Sequence, residues 1–165
     1  MIPPMSGFSL PRASTPAHLR LAQGDVQAGE VYLMSRVSQH EGPETPLEML
    51  NRNEGFFAFR PTGNGKTSGS GVMLVSKAQT VSLSVNKNDL IDDPARRSAA
   101  RMVAVEVVLA DGSMIHGWAH VELPEQHSRL LDYLNATPEA FFAVTGHDGT
   151  HYLNRAHVLY ARPKD

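Results

Sequence analysis

The chain contains no cysteine, which excludes disulfides, thiolate metal sites and thiol catalysis. Neither charge is in large excess. Fifteen Lys and Arg stand against 17 Asp and Glu, a net charge of −2, so no global field draws the chain toward nucleic acid or a membrane. No run approaches the ~18 apolar residues that a membrane span needs. The opening stretch, M-I-P-P-M-S-G-F-S-L-P-R, has neither the basic start nor the continuous apolar segment of a signal peptide. A soluble cytoplasmic protein with no membrane partner is the expectation. Tryptophan occurs once, but six Phe and four Tyr are enough to anchor two modest cores.

The 165 residues contain a diverged internal repeat. The better-patterned copy reads V-E-V-V-L-A-D-G-S-M-I-H-G-W-A-H-V, R-L-L-D-Y-L-N and F-F-A-V-T-G-H-D-G-T-H-Y-L-N-R-A-H-V-L-Y-A between Val103 and Ala161. The earlier copy reads L-R-L-A-Q-G-D-V-Q-A-G-E-V-Y-L, T-P-L-E-M-L-N, F-F-A-F-R-P and V-M-L-V-S-K-A-Q-T-V-S-L. Leu21-Ala22 and Gly24 lie over Leu109-Ala110 and Gly112, and Gly29 over Gly117. Likewise Leu50-Asn51 lies over Leu134-Asn135, Phe56-Phe57-Ala58 over Phe141-Phe142-Ala143, and Ala78 over Ala156.

Each copy alternates apolar and polar residues in short runs joined by turns, the pattern of half-buried strands. Between the second and third strands stands one short helix. In the first copy Thr45-Pro46-Leu47-Glu48 is a capping box with proline at the first helical position, and in the second Ser128 is the candidate cap. Asn51 and Asn135 are expected to end these helices in the left-handed conformation that Asn tolerates. Five strands with short turns predict a small barrel, which removes exposed edges by closing on itself. The predicted division is a disordered or extended tail over 1–16, a first barrel repeat over 17–85, a linker over 86–101 and a second barrel repeat over 102–162. A repeat of roughly 60 residues is marginal alone, so the two are expected to stabilise each other.

Positions shared by both copies serve the common fold, so function is sought where the copies differ. On the second strand Gln27, Gly29, Val31 and Leu33, matched by Ile115, Gly117, Ala119 and Val121, are the predicted interior. The opposite face carries Val26, Ala28, Glu30 and Tyr32 in one copy but Met114, His116, Trp118 and His120 in the other. A Trp between two His is unusual on a solvated strand. Either the other repeat or the N-terminal tail covers it, or His116, Trp118 and His120 form a partner-binding surface.

The strand, acidic-Gly turn and glycine-centred strand of V-V-L-A-D-G-S-M-I-H-G-W-A-H-V resemble the first motif of Sm-like small barrels. Y-L-N-R-A-H-V-L-Y is similar to their second motif, and R-L-x-D-x-L-N to a segment of uncharacterised bacterial proteins. The resemblance implies two tandem Sm-like or SH3-like barrels, a tendency to assemble, and single-stranded RNA binding from two loops. The arginine of the second RNA-contacting loop matches Arg155, and Lys77 in the first copy, although the glycine that follows it is Ala156 or Ala78. The Asp and Asn of the first RNA-contacting loop have no match.

Other chemistry finds little support. Asn64-Gly65-Lys66-Thr67 resembles the end of a phosphate-binding loop, but Arg60 stands where the first glycine belongs and no helix follows. His116 and His120 are ~13 Å apart along a strand, too far for one ion. His147, Asp148 and His151 flank a turn and read as ordinary surface groups. No nucleophile elbow or oriented triad occurs. Arg96, Arg97 and Arg101 resemble the arginine switch of PilZ domains, which clamps the phosphates of cyclic di-GMP, but the second element of that motif is missing. The expectation is a mainly β, non-catalytic module without cofactor or metal that binds another protein or a second copy of itself. The alternative is single-stranded RNA binding through Lys77, Arg155 and the linker arginines, and a third reading is cyclic dinucleotide sensing through Arg96, Arg97 and Arg101.

Overall fold

The computed structural model describes residues 12–34, 44–62, 71–89, 101–121 and 129–164. Among them the order is β1 (Arg12–Leu21), β2 (Val26–Met34), α1 (Pro46–Asn51), β3 (Phe56–Pro61), β4 (Met73–Ser76) and β5 (Thr80–Asn86). It continues with β6 (Arg101–Leu109), β7 (Met114–Val121), α2 (Leu130–Ala136), β8 (Phe141–Thr145), β9 (Gly149–Asn154) and β10 (Val158–Pro163). The repeat read from the sequence is therefore present as a repeat of elements.

It is also present bond for bond. The Ala22 N–H donates to Gln79 O, as the Ala110 N–H does to His157 O. The Lys77 N–H donates to Gly55 O, as the Arg155 N–H does to Ala140 O. On β2 and β7 a Cβ at Gly29 would collide with Arg60 O, and one at Gly117 with Thr145 O. Glycine stands at both positions because the neighbouring strand's backbone leaves no room for a side chain.

The protein is mainly β. All ten strands join one antiparallel sheet in the order β10-β6-β7-β8-β9-β5-β1-β2-β3-β4. Contrary to the closure expected from the sequence, this sheet does not close. It runs from one repeat into the other, because β5 pairs with β9 from Ser82 opposite Leu153 to Asn86 opposite Gly149. Among the described residues its two edges are β4 and β10.

Of the predicted interior of β2, Gly29, Val31 and Leu33 are buried and Gln27 is half-buried. Two apolar clusters form, and each borrows from the other repeat across the β5–β9 seam. The first gathers Leu19, Val31, Leu33, Leu50 and Phe59, and takes in Phe141, Ala143 and Tyr152 from the second repeat. The second gathers Val105, Val107, Leu109, Val121 and Leu153, and takes in Val81 from the first.

The capping box of α1 forms as read: the Glu48 N–H donates to Thr45 Oγ1 at 3.1 Å and the Thr45 N–H to Glu48 Oε1 at 2.8 Å. In α2 the cap position is Arg129, without a side-chain cap bond, and Ser128 lies outside the described residues. β1 begins at Arg12, so residues 12–16 belong to a strand, and residues 1–11 lie outside the described set. Of the linker, Lys87–Asp89 is a 3-10 turn and Arg101 opens β6. Residues 90–100 lie outside the described set, as do residues 63–70 with the phosphate-loop-like segment.

Candidate interaction surfaces

The three residues singled out on β7 do not stay together. Trp118 is 42% exposed, so it is not buried between the repeats, and its ring meets that of His147 edge-on at 6.1 Å. His116 is exposed, with Nε2 3.8 Å from Glu106 Oε1 and Nδ1 3.4 Å from Lys164 Nζ. Glu106 in turn accepts from Arg162 Nη1 at 3.1 Å. His120 is buried, its Nε2 2.6 Å from Thr145 Oγ1. Both faces of β7 are covered at its C-terminal end, from Ala119 to Val121, so the alternation that exposes Trp118 fails two residues later.

Lys77 and Arg155 occupy equivalent places and do equivalent work. Lys77 Nζ donates to Met49 O at 2.8 Å and Arg52 O at 3.2 Å, at the end of α1. Arg155 Nη1 donates to Leu134 O at 2.9 Å and to Thr137 O, at the end of α2. A cation there satisfies the last helical carbonyls and opposes the helix dipole. Burial pushes the Lys77 amine below its ordinary range. Arg96 and Arg97 lie outside the described residues, and Arg101 stands opposite Val121 at the start of β6. Among the described residues no group of three or more His, Asp or Glu could hold a metal ion, and no helix is long and apolar enough to cross a membrane.

The seam between the repeats carries the polar contacts that sequence reasoning missed. The Asn51 carboxamide reaches across it, accepting from the Phe141 N–H at 2.9 Å and donating to Phe141 O at 3.1 Å. The left-handed cap expected of Asn51 is not made. No described residue other than glycine has positive φ, and the chain leaves α1 through an extended Arg52. Asn154 Nδ2 donates across the seam to Lys77 O at 3.2 Å and Thr80 O at 3.0 Å.

Further along, Ser84 Oγ lies 2.7 Å from His151 Nδ1. Burial pushes the His151 imidazole below its ordinary 6.5; Asp148 pulls it up and Arg20 pushes it further down. The unfolded chain therefore binds a proton that the folded chain refuses. The stability tied to neutral His151 is complete above pH 6.5 and is lost as the pH falls from there through the depressed folded value. The melting temperature is expected to fall on acidification from pH 7.5 to pH 5.5, and less steeply in His151→Gln. Equal slopes in thermal melts of the two chains would show that His151 is not responsible.

The sheet edges are the remaining surface. Among the described residues β4 and β10 each have a paired neighbour on one side only, and Val72, Leu74, Leu159 and Tyr160 on or beside them are exposed. Phe56, exposed on β3, pairs with Ser76 of β4. No protein-family model matches the chain, and neither a curated protein nor a solved structure is similar enough to count as a match.

Proposed function

We propose that the chain is a non-catalytic protein-binding module, built from two tandem Sm-like or SH3-like five-stranded units, that engages its partner by strand addition at its open sheet edges. One observation carries this reading: large exposed apolar side chains lie on the two strands that, among the described residues, have no sheet neighbour on their outer side. An unpaired edge is a template for another strand, and proteins that do not use such edges blunt them with charge or cover them. β4, Met-Leu-Val-Ser, carries no charge at all. The RNA reading is the weaker one, since Lys77 and Arg155 have their cationic groups engaged with helix-end carbonyls.

The test is short-range crosslinking of the tagged full-length chain in its native cell, followed by mass spectrometry. The wild type is compared with a Leu74→Arg, Leu159→Arg double variant and with Trp118→Ala. Both edge leucines are exposed, so the double variant should keep its circular dichroism spectrum. Protein crosslinks, including those between copies of the chain, are expected to vanish in the double variant and persist in Trp118→Ala. A wild-type chain that crosslinks to no protein, or a double variant that keeps every crosslink, overturns the reading.

A further inference from the structure

The seam inside the molecule is one instance of an interface whose two surfaces are each present a second time. At the seam β5 lies beside β9, and α1 packs on β8. Leu47 and Asn51, one turn apart on α1, point the same way: Leu47 packs on the cluster that contains Phe141, and Asn51 holds the Phe141 backbone. By the repeat, β5 corresponds to β10, β9 to β4, α1 to α2 and β8 to β3. The seam's donor side therefore recurs on β10 and α2, and its acceptor side on β3 and β4. Among the described residues nothing pairs with either recurrence.

The buried residues of the seam correspond to many of the largest exposed apolar side chains. Phe141 is 1% exposed, and its counterpart Phe56 is 63%. Tyr152 is 2% exposed and its counterpart Leu74 is 75%; Val81 is 1% and its counterpart Leu159 is 65%. Leu47 is partly buried, while its counterpart Leu131 is 67% exposed. Asn135, the counterpart of Asn51, is exposed.

We infer that the partner at these edges is a second copy of this chain, bound head to tail, with β10 of one copy antiparallel to β4 of the next. This rests on the edge-binding reading and names its partner. Transferring the β5–β9 register places Tyr160 opposite Val75, Ala161 opposite Leu74, Arg162 opposite Met73 and Pro163 opposite Val72. α2 then lies on the neighbour's β3, with Leu131 covering Phe56 and the Asn135 carboxamide bridging the Phe56 N–H and C=O.

One difference weakens the intermolecular copy. At the seam the Lys87 N–H donates to Asp148 O, so alternation along β5 aims the Val85 N–H at β9 as well. The counterpart of Val85 is Pro163, which has no N–H to give. The association is therefore weaker than the internal seam and reversible with dilution. Because the two surfaces differ, the interface is heterologous, and each open assembly keeps one unpaired surface of each kind until a ring closes.

The experiment is sedimentation velocity on the purified full-length chain over a range of concentrations. The wild type should sediment as dimers or larger species as concentration rises, and Trp118→Ala should behave the same way. Leu74→Arg alone and Leu159→Arg alone should each be folded monomers, with self-association weakened at least about 30-fold, the effect of losing one central anchor. An equimolar mixture of the two variants should form a one-to-one heterodimer and nothing larger, since only one competent pair of surfaces remains. A single variant that still assembles alone, or a mixture that stays monomeric, overturns the head-to-tail pairing. A wild type that is monomeric throughout also overturns it. In that case the edge-binding reading stands if crosslinks to a different protein are still lost with the edge leucines.

Discussion

Phe141→Ala is expected to destabilise the protein by about 3–5 kcal/mol, the range for truncating a fully buried aromatic ring. Phe56→Ala, in the corresponding place, should cost within about 0.5 kcal/mol in a dilute sample, as substitutions of exposed residues usually do. The contrast follows from the seam. Phe141 belongs to the second repeat by sequence but fills the first repeat's core beside Phe57, Phe59 and Tyr152, whereas Phe56 faces outward from the sheet's far end. Removing the Phe141 ring opens a cavity where the repeats meet, and rigid strands close in on such a space only partly. Urea titrations of the two variants provide the measurement. Equal losses would mean that Phe141 does not join the repeats, and a loss below about 1 kcal/mol would place the junction's stability elsewhere.

What the sequence revealed was local or repeated. The capping box at Thr45 and Glu48 is a contact between residues three apart, and the interior of β2 is a period-2 pattern; both were legible for that reason. Residues 12–16, which the sequence assigns to an extended or disordered tail, belong to β1. Pro16 lies in β1 opposite Glu30, but β1 meets β5 only from His18 onward. Its missing N–H therefore faces no second strand. The sheet's failure to close was not legible, since alternation says which side of a strand is buried and nothing about which strand lies next to it. The β5–β9 pairing is a contact between distant segments.

Asn51 failed for the same reason. Its place at a helix end suggested a local cap, while its carboxamide serves a backbone 90 residues away. Strand parity puts His120 with Trp118, and parity does not register that both faces of β7 are covered where it ends. Lys77 and Arg155 were legible in principle. A basic residue at the same place in both repeats, one position before the shared Ala78 and Ala156, belongs by the repeat's own logic to the common fold. The family resemblance drew attention to them as RNA contacts, and their side chains instead hold helix ends.

Gly117→Ala should be among the most destabilising single-methyl changes available, at about 3 kcal/mol, the upper end of the usual range for overpacking. A Cβ at this position meets Thr145 O, a backbone atom, with the Val144 side chain behind it. Thr145 cannot retreat freely, because Trp118 opposite Thr145 and Ala119 opposite Val144 are the register by which β7 holds β8. Replacing glycine with alanine also stiffens the unfolded chain, which favours folding by about 0.4–1 kcal/mol. That gain is too small to offset a collision with backbone. Gly146→Ala separates the two terms: there the added Cβ comes no closer than 3.4 Å to His116 O, so the unfolded-state gain should nearly balance or exceed the contact. For a chain of this size about 3 kcal/mol lowers the melting temperature by roughly 6–12 °C, while Gly146→Ala should stay within about 3 °C of the wild type. If Gly117→Ala melted like Gly146→Ala, β7 and β8 would have to be farther apart than the pairing allows. Gly29→Ala on β2, where the colliding atom is Arg60 O, should then repeat whichever result Gly117 gives, because the same strand crossing occurs in both repeats.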